Sequence, residues 1–329
     1  MRASAWVAGG VAALALVACG AGTGSTRAAG AVGSTAVRAS EAPSTAAAAT
    51  TAVPSRPAPV GGVRVVAVGD IACEPGAAAT PLTCQQSATA TLARRLKPAA
   101  ALLLGDLQYE TGAASEWASF GASWGKLGVP LYPAPGNHEY ATIGAGAYYD
   151  YFGARAGPAR RGWYAFNLGG WRLYSLNANC ATVGCSAGSA QERWLRSDLA
   201  AHPRACVGAY WHQARFSSGL HGDDDGPAPL WAALQSAHAD LVLEGHDHDY
   251  ERFDRRLAGG AVNTRGVASF VVGTGGKTFY PVIRREPGSR KVVVGRFGVL
   301  SLTLGKGAWA WKYVTVGGQT LDRGTQRCS

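Results

Sequence analysis

Five times along this chain a short apolar run ends in a residue able to bind a cation or a proton. Val63–Gly69 leads into Asp70, Ala101–Gly105 into Asp106, and Pro130–Ala134 into Gly136-Asn137-His138. Ala205–Trp211 leads into His212, and Leu241–Glu244 into Gly245-His246-Asp247-His248. Short apolar runs bounded by Gly and Pro are the pattern of buried strands. Between them, Gln85–Leu96, Ser115–Trp124, Ala190–Ala200 and Pro229–Ala237 have helical spacing, and Arg172–Asn177 reads as a further strand. Strands alternating with helices predict an α/β fold with its sheet covered on both faces. In open α/β sheets, ligands bind beyond the carboxyl ends of the strands. A buried structural network accounts for one or two polar strand ends. Asp, Asp, Asn, His and His-x-His delivered to one rim point to a built site. After Arg252 the pattern changes: Val267–Val272, Arg296–Leu304 and Ala308–Val316 read as successive strands, with Gly305-Lys306-Gly307 as a hairpin turn.

The first residues do not belong to that pattern. Arg2 precedes an apolar run from Ala5 to Ala18, the layout of a secretory signal. Leu16-Val17-Ala18-Cys19 resembles a bacterial lipobox, in which Cys19 carries acyl chains and anchors the protein without spanning the membrane. The alternative is an ordinary cleaved signal with a chance cysteine. Residues 20–61 are Ala, Gly, Ser, Thr and Pro with almost no large apolar side chains, and read as a disordered tether. The folded domain is then expected over residues 62–329. Beyond the N-terminus no apolar stretch approaches the roughly 20 residues of a spanning helix. The net charge of +10 is spread thinly, with no Lys/Arg run interleaved with aromatics. That favours anionic small substrates or surfaces over nucleic acid.

Six cysteines remain once Cys19 is set aside, an even number that suits disulfides in an oxidising compartment. Proximity favours Cys73–Cys84 and Cys180–Cys185, which leaves Cys206–Cys328 to pin the C-terminus. A thiolate metal site is the rival reading, and the absence of any C-x₂-C pair weighs against it. The polar strand ends carry a different chemistry. Carboxylates, imidazoles and an amide oxygen suit hard to borderline cations. Two carboxylates and three imidazoles exceed the needs of one four-coordinate zinc. A pair of metals sharing a carboxylate follows, an arrangement that clamps both oxygens of an in-line displacement.

Gly69-Asp70, Gly105-Asp106-Leu107-Gln108-Tyr109, Gly136-Asn137-His138-Glu139, Trp211-His212 and Gly245-His246-Asp247-His248 resemble the five blocks of the calcineurin-like metallophosphoesterases. More narrowly they resemble the purple acid phosphatase branch, in order over roughly residues 63–320. Most of the superfamily opens with Asp-x-His, whose His is a metal ligand; here the block is Asp70-Ile71-Ala72. Purple acid phosphatases instead place a Tyr three residues after the second Asp, where this chain has Tyr109. A tyrosinate is a hard anionic donor that favours Fe(III). One departure is Ala72, where that branch usually has Gly.

The resemblance implies a four-layer α/β/β/α sandwich. It implies a first metal held by Asp70, Asp106, Tyr109 and His248, and a second held by Asp106, Asn137, His212 and His246. The pair would be Fe(III) plus Fe, Zn or Mn. It implies attack on phosphorus by a metal-bound hydroxide, with His138 in contact with substrate as general acid and His221 as a further substrate contact. The expected activity is that of an exported phosphomonoesterase acting on small phosphate esters, with contact to a membrane only through the lipid anchor. Phosphodiester hydrolysis by the same site is the alternative. A non-catalytic surface lipoprotein that binds metal or phosphate is a third reading, which the intact ligand set opposes. The sandwich-like domain that precedes the catalytic domain in long plant relatives has no counterpart in residues 20–61.

Several other polar residues read as structural. His202 and His238 fall at expected helix C-termini. Asp247 lies between two expected ligands and alternation turns it away. Asp223-Asp224-Asp225 reads as a solvated loop, and Gly273-Thr274-Gly275-Gly276 as close backbone packing beside the cleft. Tyr140, Tyr148 and Tyr149 are candidates for a substrate groove or for rim packing.

Overall fold

The computed structural model of the chain describes residues 61–329. The expected signal segment with Cys19, and the tether up to residue 60, lie outside the described residues. Thirteen strands follow: β1 Val63–Val68, β2 Ala100–Leu104, β3 Leu131–Ala134, β4 Tyr164–Leu168, β5 Trp171–Ser175, β6 Val207–Tyr210, β7 Leu241–Glu244, β8 Tyr250–Phe253, β9 Ala268–Val272, β10 Ser289–Val293, β11 Gly298–Leu304, β12 Ala308–Thr315 and β13 Thr320–Arg327. The α-helices are α1 Gln86–Arg95, α2 Trp117–Ala122, α3 Gly146–Phe152, α4 Cys180–Val183, α5 Ala190–Ala201 and α6 Ala228–Ser236.

One sheet has the order β13-β12-β11-β1-β2-β3 and the other β10-β8-β9-β7-β6-β5-β4. Each contains a parallel block: β1, β2 and β3 in the first, β5, β6, β7 and β9 in the second. Period-two alternation divides the second sheet between two cores. Leu173, Tyr210, Leu241, Leu243, Phe270 and Val272 face the core shared with the first sheet. Tyr174, Ala209, Val242 and Val271 pack instead with Leu195 and Leu199 of α5 and with Leu230 and Leu234 of α6. Between the sheets, Tyr250 stacks on Tyr313 at 4.1 Å. Asp322 of β13 there accepts from Tyr250 Oη at 2.6 Å and Arg252 Nε at 2.7 Å. The chain therefore has an α/β sandwich built on two facing sheets, the fold class expected.

Three of the strands that the residue pattern does not announce, β4, β10 and β13, are sheet edges. Edge strands carry charged and polar residues because one side lacks a partner, so β13, which reads Thr-Leu-Asp-Arg-Gly-Thr-Gln-Arg, has no apolar signature. The helix expected over Ser115–Trp124 is shorter. Its helical path breaks at Ser123, with φ −112° and ψ −89°, and a 3₁₀ turn follows. The groove reading of Tyr148 and Tyr149 is corrected. Both are buried, at 1% and 4% exposure, in α3, where Tyr148 packs in an aromatic cluster with Trp117 and Phe152. Disulfides join Cys73–Cys84, Cys180–Cys185 and Cys206–Cys328.

Candidate metal centre

The parallel strands end at one level, because Val68 pairs with Leu103 and Leu104 with Ala134. Asp70, Asp106 and Asn137 leave these strand ends, and His212 and His246 leave β6 and β7 from the facing sheet. Three of the five adopt left-handed backbone: Asp70 at φ 60°, Asp106 at 47° and His246 at 73°. Non-glycine residues in that region are strained by roughly 1–3 kcal/mol each and cluster at functional sites. Close approach needs glycine beside them. A Cβ on Gly136 would collide with the Asp106 carboxylate, and one on Gly105 would lie 2.6 Å from the Cβ of His212.

Six of the seven expected ligands fall into two neighbouring groups. In the first, Tyr109 Oη lies 3.0 Å from Asp70 Oδ1 and 3.1 Å from His248 Nε2, and His248 Nε2 is 3.2 Å from Asp70 Oδ1. In the second, His212 Nε2 lies 3.1 Å from Asp106 Oδ2 and 3.2 Å from His246 Nδ1. The His246 backbone N–H donates to Asp70 Oδ2 at 3.0 Å and joins the groups. His212 Nδ1 faces the Leu104 carbonyl at 2.8 Å, which fixes the ring and turns Nε2 inward. Asp70, Asp106, Tyr109, His212 and His248 are all buried. Asn137 Oδ1 is buried with no hydrogen-bond partner among the described residues.

Electrostatics describe a cluster organised around negative charge. Burial raises the Asp106 carboxyl, but the charges of His212, His138 and His246 outweigh it and hold it well below the carboxylate range. Burial opposes the His212 cation, while Asp106 and Asp70 push its pKa up. Burial and the neighbouring His212 push His246 down to about 3. Burial, then the Asp70 and Asp106 carboxylates, drive the Tyr109 phenol well up. Oxygen donors, imidazoles and a phenol in this packing suit two hard or borderline cations, and the unpartnered amide oxygen of Asn137 is a donor with nothing else to meet.

His138 and His221 flank the cluster. The His138 ring lies 4.3 Å from that of Tyr109, and its Nε2 is 3.9 Å from Asp106 Oδ2. Its backbone N–H donates to Asp106 Oδ1 at 2.9 Å. The His221 ring stacks on His246 at 4.0 Å. Asp247, set aside as turned away from the metals, is what holds His221: its Oδ1 accepts the His221 backbone N–H at 2.9 Å and sits 3.1 Å from Nδ1. That hydrogen bond raises the His221 pKa, against the effect of burial.

Two supporting residues are assigned no role from the sequence. Glu139 accepts backbone N–H groups from Gly136 at 2.6 Å, Leu107 at 2.9 Å and Asp106 at 3.0 Å, and so ties the loops after β2 and β3 together. Its place in the Gly-Asn-His-Glu block is a signal that could have found it. Tyr280 stacks on His248 at 3.9 Å, and no motif announces it. The Asp223–Asp225 loop is structural: Asp223 accepts from Ser217 N–H, and Asp225 pairs with Arg215.

Comparison with known proteins agrees with this geometry. The model of the calcineurin-like phosphoesterase family matches residues 63–250. An uncharacterised protein of Mycobacterium tuberculosis is 35% identical over 147 residues, covering 37% of this chain and 28% of the relative. Purple acid phosphatase 15 of Arabidopsis thaliana is 28% identical over 161 residues, covering 45% of this chain and 30% of the relative. The chain thus spans less than a third of the length of these relatives. Among solved structures, purple acid phosphatase PPD1 of yellow lupin (Lupinus luteus) matches with a TM-score of 0.67 at 20% identity, over 82% of this chain and 54% of that one. The Plasmodium protein GAP50, an anchor in the inner membrane complex, matches with a TM-score of 0.60 at 14% identity, over 82% and 89%. With more than half of its length under the family model and the motif residues gathered at one end of the sandwich, the chain belongs to the calcineurin-like phosphoesterase family.

Proposed function

We propose that the chain is an exported, dinuclear-metal phosphomonoesterase similar to purple acid phosphatases. The observation that carries this reading is the convergence of the donor groups of Asp70, Tyr109 and His248 beside those of Asp106, His212 and His246. In this reading Asp70, Asp106, Tyr109 and His248 hold an Fe(III), and Asp106, Asn137, His212 and His246 hold Fe, Zn or Mn. When bound, the ions supply Lewis-acid charge and a water that is nucleophilic near neutral pH.

The chain's own residues do the rest. Hydrolysis would replace the alcohol by water at phosphorus: a P–O bond to the water oxygen forms as the ester P–O bond breaks, the water's proton passes to solvent, and alcohol and inorganic phosphate leave. His138, as imidazolium, delivers its Nε2 proton to the departing oxygen. His221, held by Asp247, faces the second group of donors and contacts the phosphate. Phosphoryl transfer asks mainly for positioning and charge stabilisation, and the mounting of the donors on strand ends and the loops just beyond them suits that task. Three disulfides favour an oxidising compartment, and acylation at Cys19 would keep the enzyme at a membrane face. The test is the rate on p-nitrophenyl phosphate against that on its bis-ester, with protein loaded with iron plus zinc or manganese. A preference for the monoester is expected. A preference for the diester would make the enzyme a phosphodiesterase.

A further inference from the structure

We propose that Lys277 is a positioning residue for His138, acting through Glu110 to hold the imidazole where it can protonate the leaving oxygen. The inference rests on the phosphatase reading and concerns residues that reading leaves unused. Lys277 is mounted rigidly. Its backbone N–H donates to the Asp70 carbonyl at 3.1 Å, and its own carbonyl accepts from Cys84 N–H at 3.3 Å and from the Thr83 hydroxyl. It is thereby fixed both to the loop that carries Asp70 and to the Cys73–Cys84 disulfide loop. Its side chain, only 16% exposed, runs along the Tyr109 ring, with Nζ 4.8 Å from the ring centroid. Nζ is 3.2 Å from Glu74 Oε2 and pairs with Glu110 Oε1.

Glu110 is the link to His138. Its main-chain carbonyl faces His138 Nδ1 at 2.6 Å, and its carboxylate lies 3.9 Å from the same nitrogen. A carbonyl can only accept, so Nδ1 is the donor in this contact. In the imidazolium both nitrogens carry protons, and the bond at Nδ1 leaves the Nε2 proton directed at the cleft. The Glu110 peptide is held from two sides. Glu116 accepts the backbone N–H groups of Glu110 at 2.9 Å and Thr111 at 3.0 Å, and Lys277 holds the side chain. Without the ammonium, the carboxylates of Glu74 and Glu110 face each other with no cation between them. The Glu110 segment then turns toward water and His138 loses the acceptor that sets its ring.

The experiment compares two phosphomonoesters that differ in their leaving group. Nitrophenolate departs without a proton; the alkoxide of glycerol 2-phosphate needs one. In metal-loaded Lys277→Met, turnover of glycerol 2-phosphate is expected to fall about tenfold, part of the 10²–10⁴ that a general acid contributes. Turnover of p-nitrophenyl phosphate is expected to change less than about twofold. Metal content is unchanged, Lys277→Arg restores the alkyl ester rate, and Lys277→Met has no further effect in a His138→Ala background. As a readout independent of activity, the ¹⁵N shifts of His138 in the zinc-loaded protein report a protonated Nδ1 in the wild type and lose that signature in K277M. Equal losses on both esters, or a loss that persists without His138, overturn the proposal. Should K277M fail to fold, Glu110→Gln removes the same pair and must give the same leaving-group split. A wild type inactive on both esters removes the phosphatase reading itself, an outcome seen before any variant is compared.

Discussion

The three disulfides differ mainly in the loops they close, which makes their contributions calculable. Cys206–Cys328 spans 122 residues, Cys73–Cys84 spans 11 and Cys180–Cys185 spans 5. A cross-link stabilises chiefly by restricting the unfolded chain, with an entropy that grows as 1.5R ln n. At 25 °C this gives about 5, about 3 and about 2 kcal/mol in that order. The longest loop also ties the last residues to the fold. Next to it, Cys328 N–H donates to the Gly307 carbonyl at 3.0 Å and Ser329 N–H to Asp240 Oδ1 at 2.6 Å. The perturbation is replacement of each cysteine pair by alanine, and the assay is guanidinium unfolding with calorimetry alongside. Cys206→Ala/Cys328→Ala should lower the melting temperature by roughly 10 °C, given about 2–4 °C per kcal/mol for domains near this size. It should also raise the denaturant slope, since the unfolded chain it releases is more expanded. If removing this pair costs no more than removing Cys180–Cys185, the loop-closure reasoning is refuted.

Other substitutions test the packing and the site. Asp322→Asn removes the charge that Tyr250 and Arg252 bind across the sheets, and should cost about 1.5–3 kcal/mol in urea unfolding at pH 7. Burial opposes ionisation of Asp322, but the bonds from Arg252 and Tyr250 keep its pKa lowered. Its stabilisation is therefore present above the unfolded carboxyl value of about 3.9 and disappears as pH falls through the lower folded value. The stability gap between wild type and D322N should close in that window and remain constant from pH 5 to 7; a gap that widens on acidification contradicts the assignment. Tyr109→Phe should abolish the visible phenolate-to-iron absorption of iron-loaded protein while far-UV circular dichroism stays unchanged. Glu139→Gln turns an amide N–H₂ against at least one of three backbone donors, and should destabilise by about 1–3 kcal/mol in the same unfolding assay.

The residues legible in the sequence are those whose chemistry and position coincide. Asp106 follows an apolar strand and a glycine, so the strand predicts its place and the carboxylate its use. The unbroken apolar run Leu241-Val242-Leu243 predicts a buried strand, and its two faces do meet different cores. What stays hidden depends on contacts that no local pattern encodes. α3 is rich in aromatics with modest helix propensity, and its burial against Trp117 and Phe120 stabilises it. β10 and β13 are polar because they lie at edges. Asp247 escapes because alternation tells which way a side chain turns but not what waits there, and what waits is His221. Tyr280 and Lys277 reach the site from the segment after β9, far in sequence from the blocks that mark it.

The most direct test of the two-metal account is Asp106→Asn, assayed for metal content and for hydrolysis of p-nitrophenyl phosphate in purified, iron- and zinc-loaded protein. In the proposed ligand set Asp106 serves both ions, and it stands 3.1 Å from His212 in the structure. The wild type should hold two metals per chain and the variant fewer. The rate loss should exceed the roughly 10–100-fold seen when a residue that merely supports a ligand is changed. Two retained metals with undiminished hydrolysis in D106N would contradict the two-metal account.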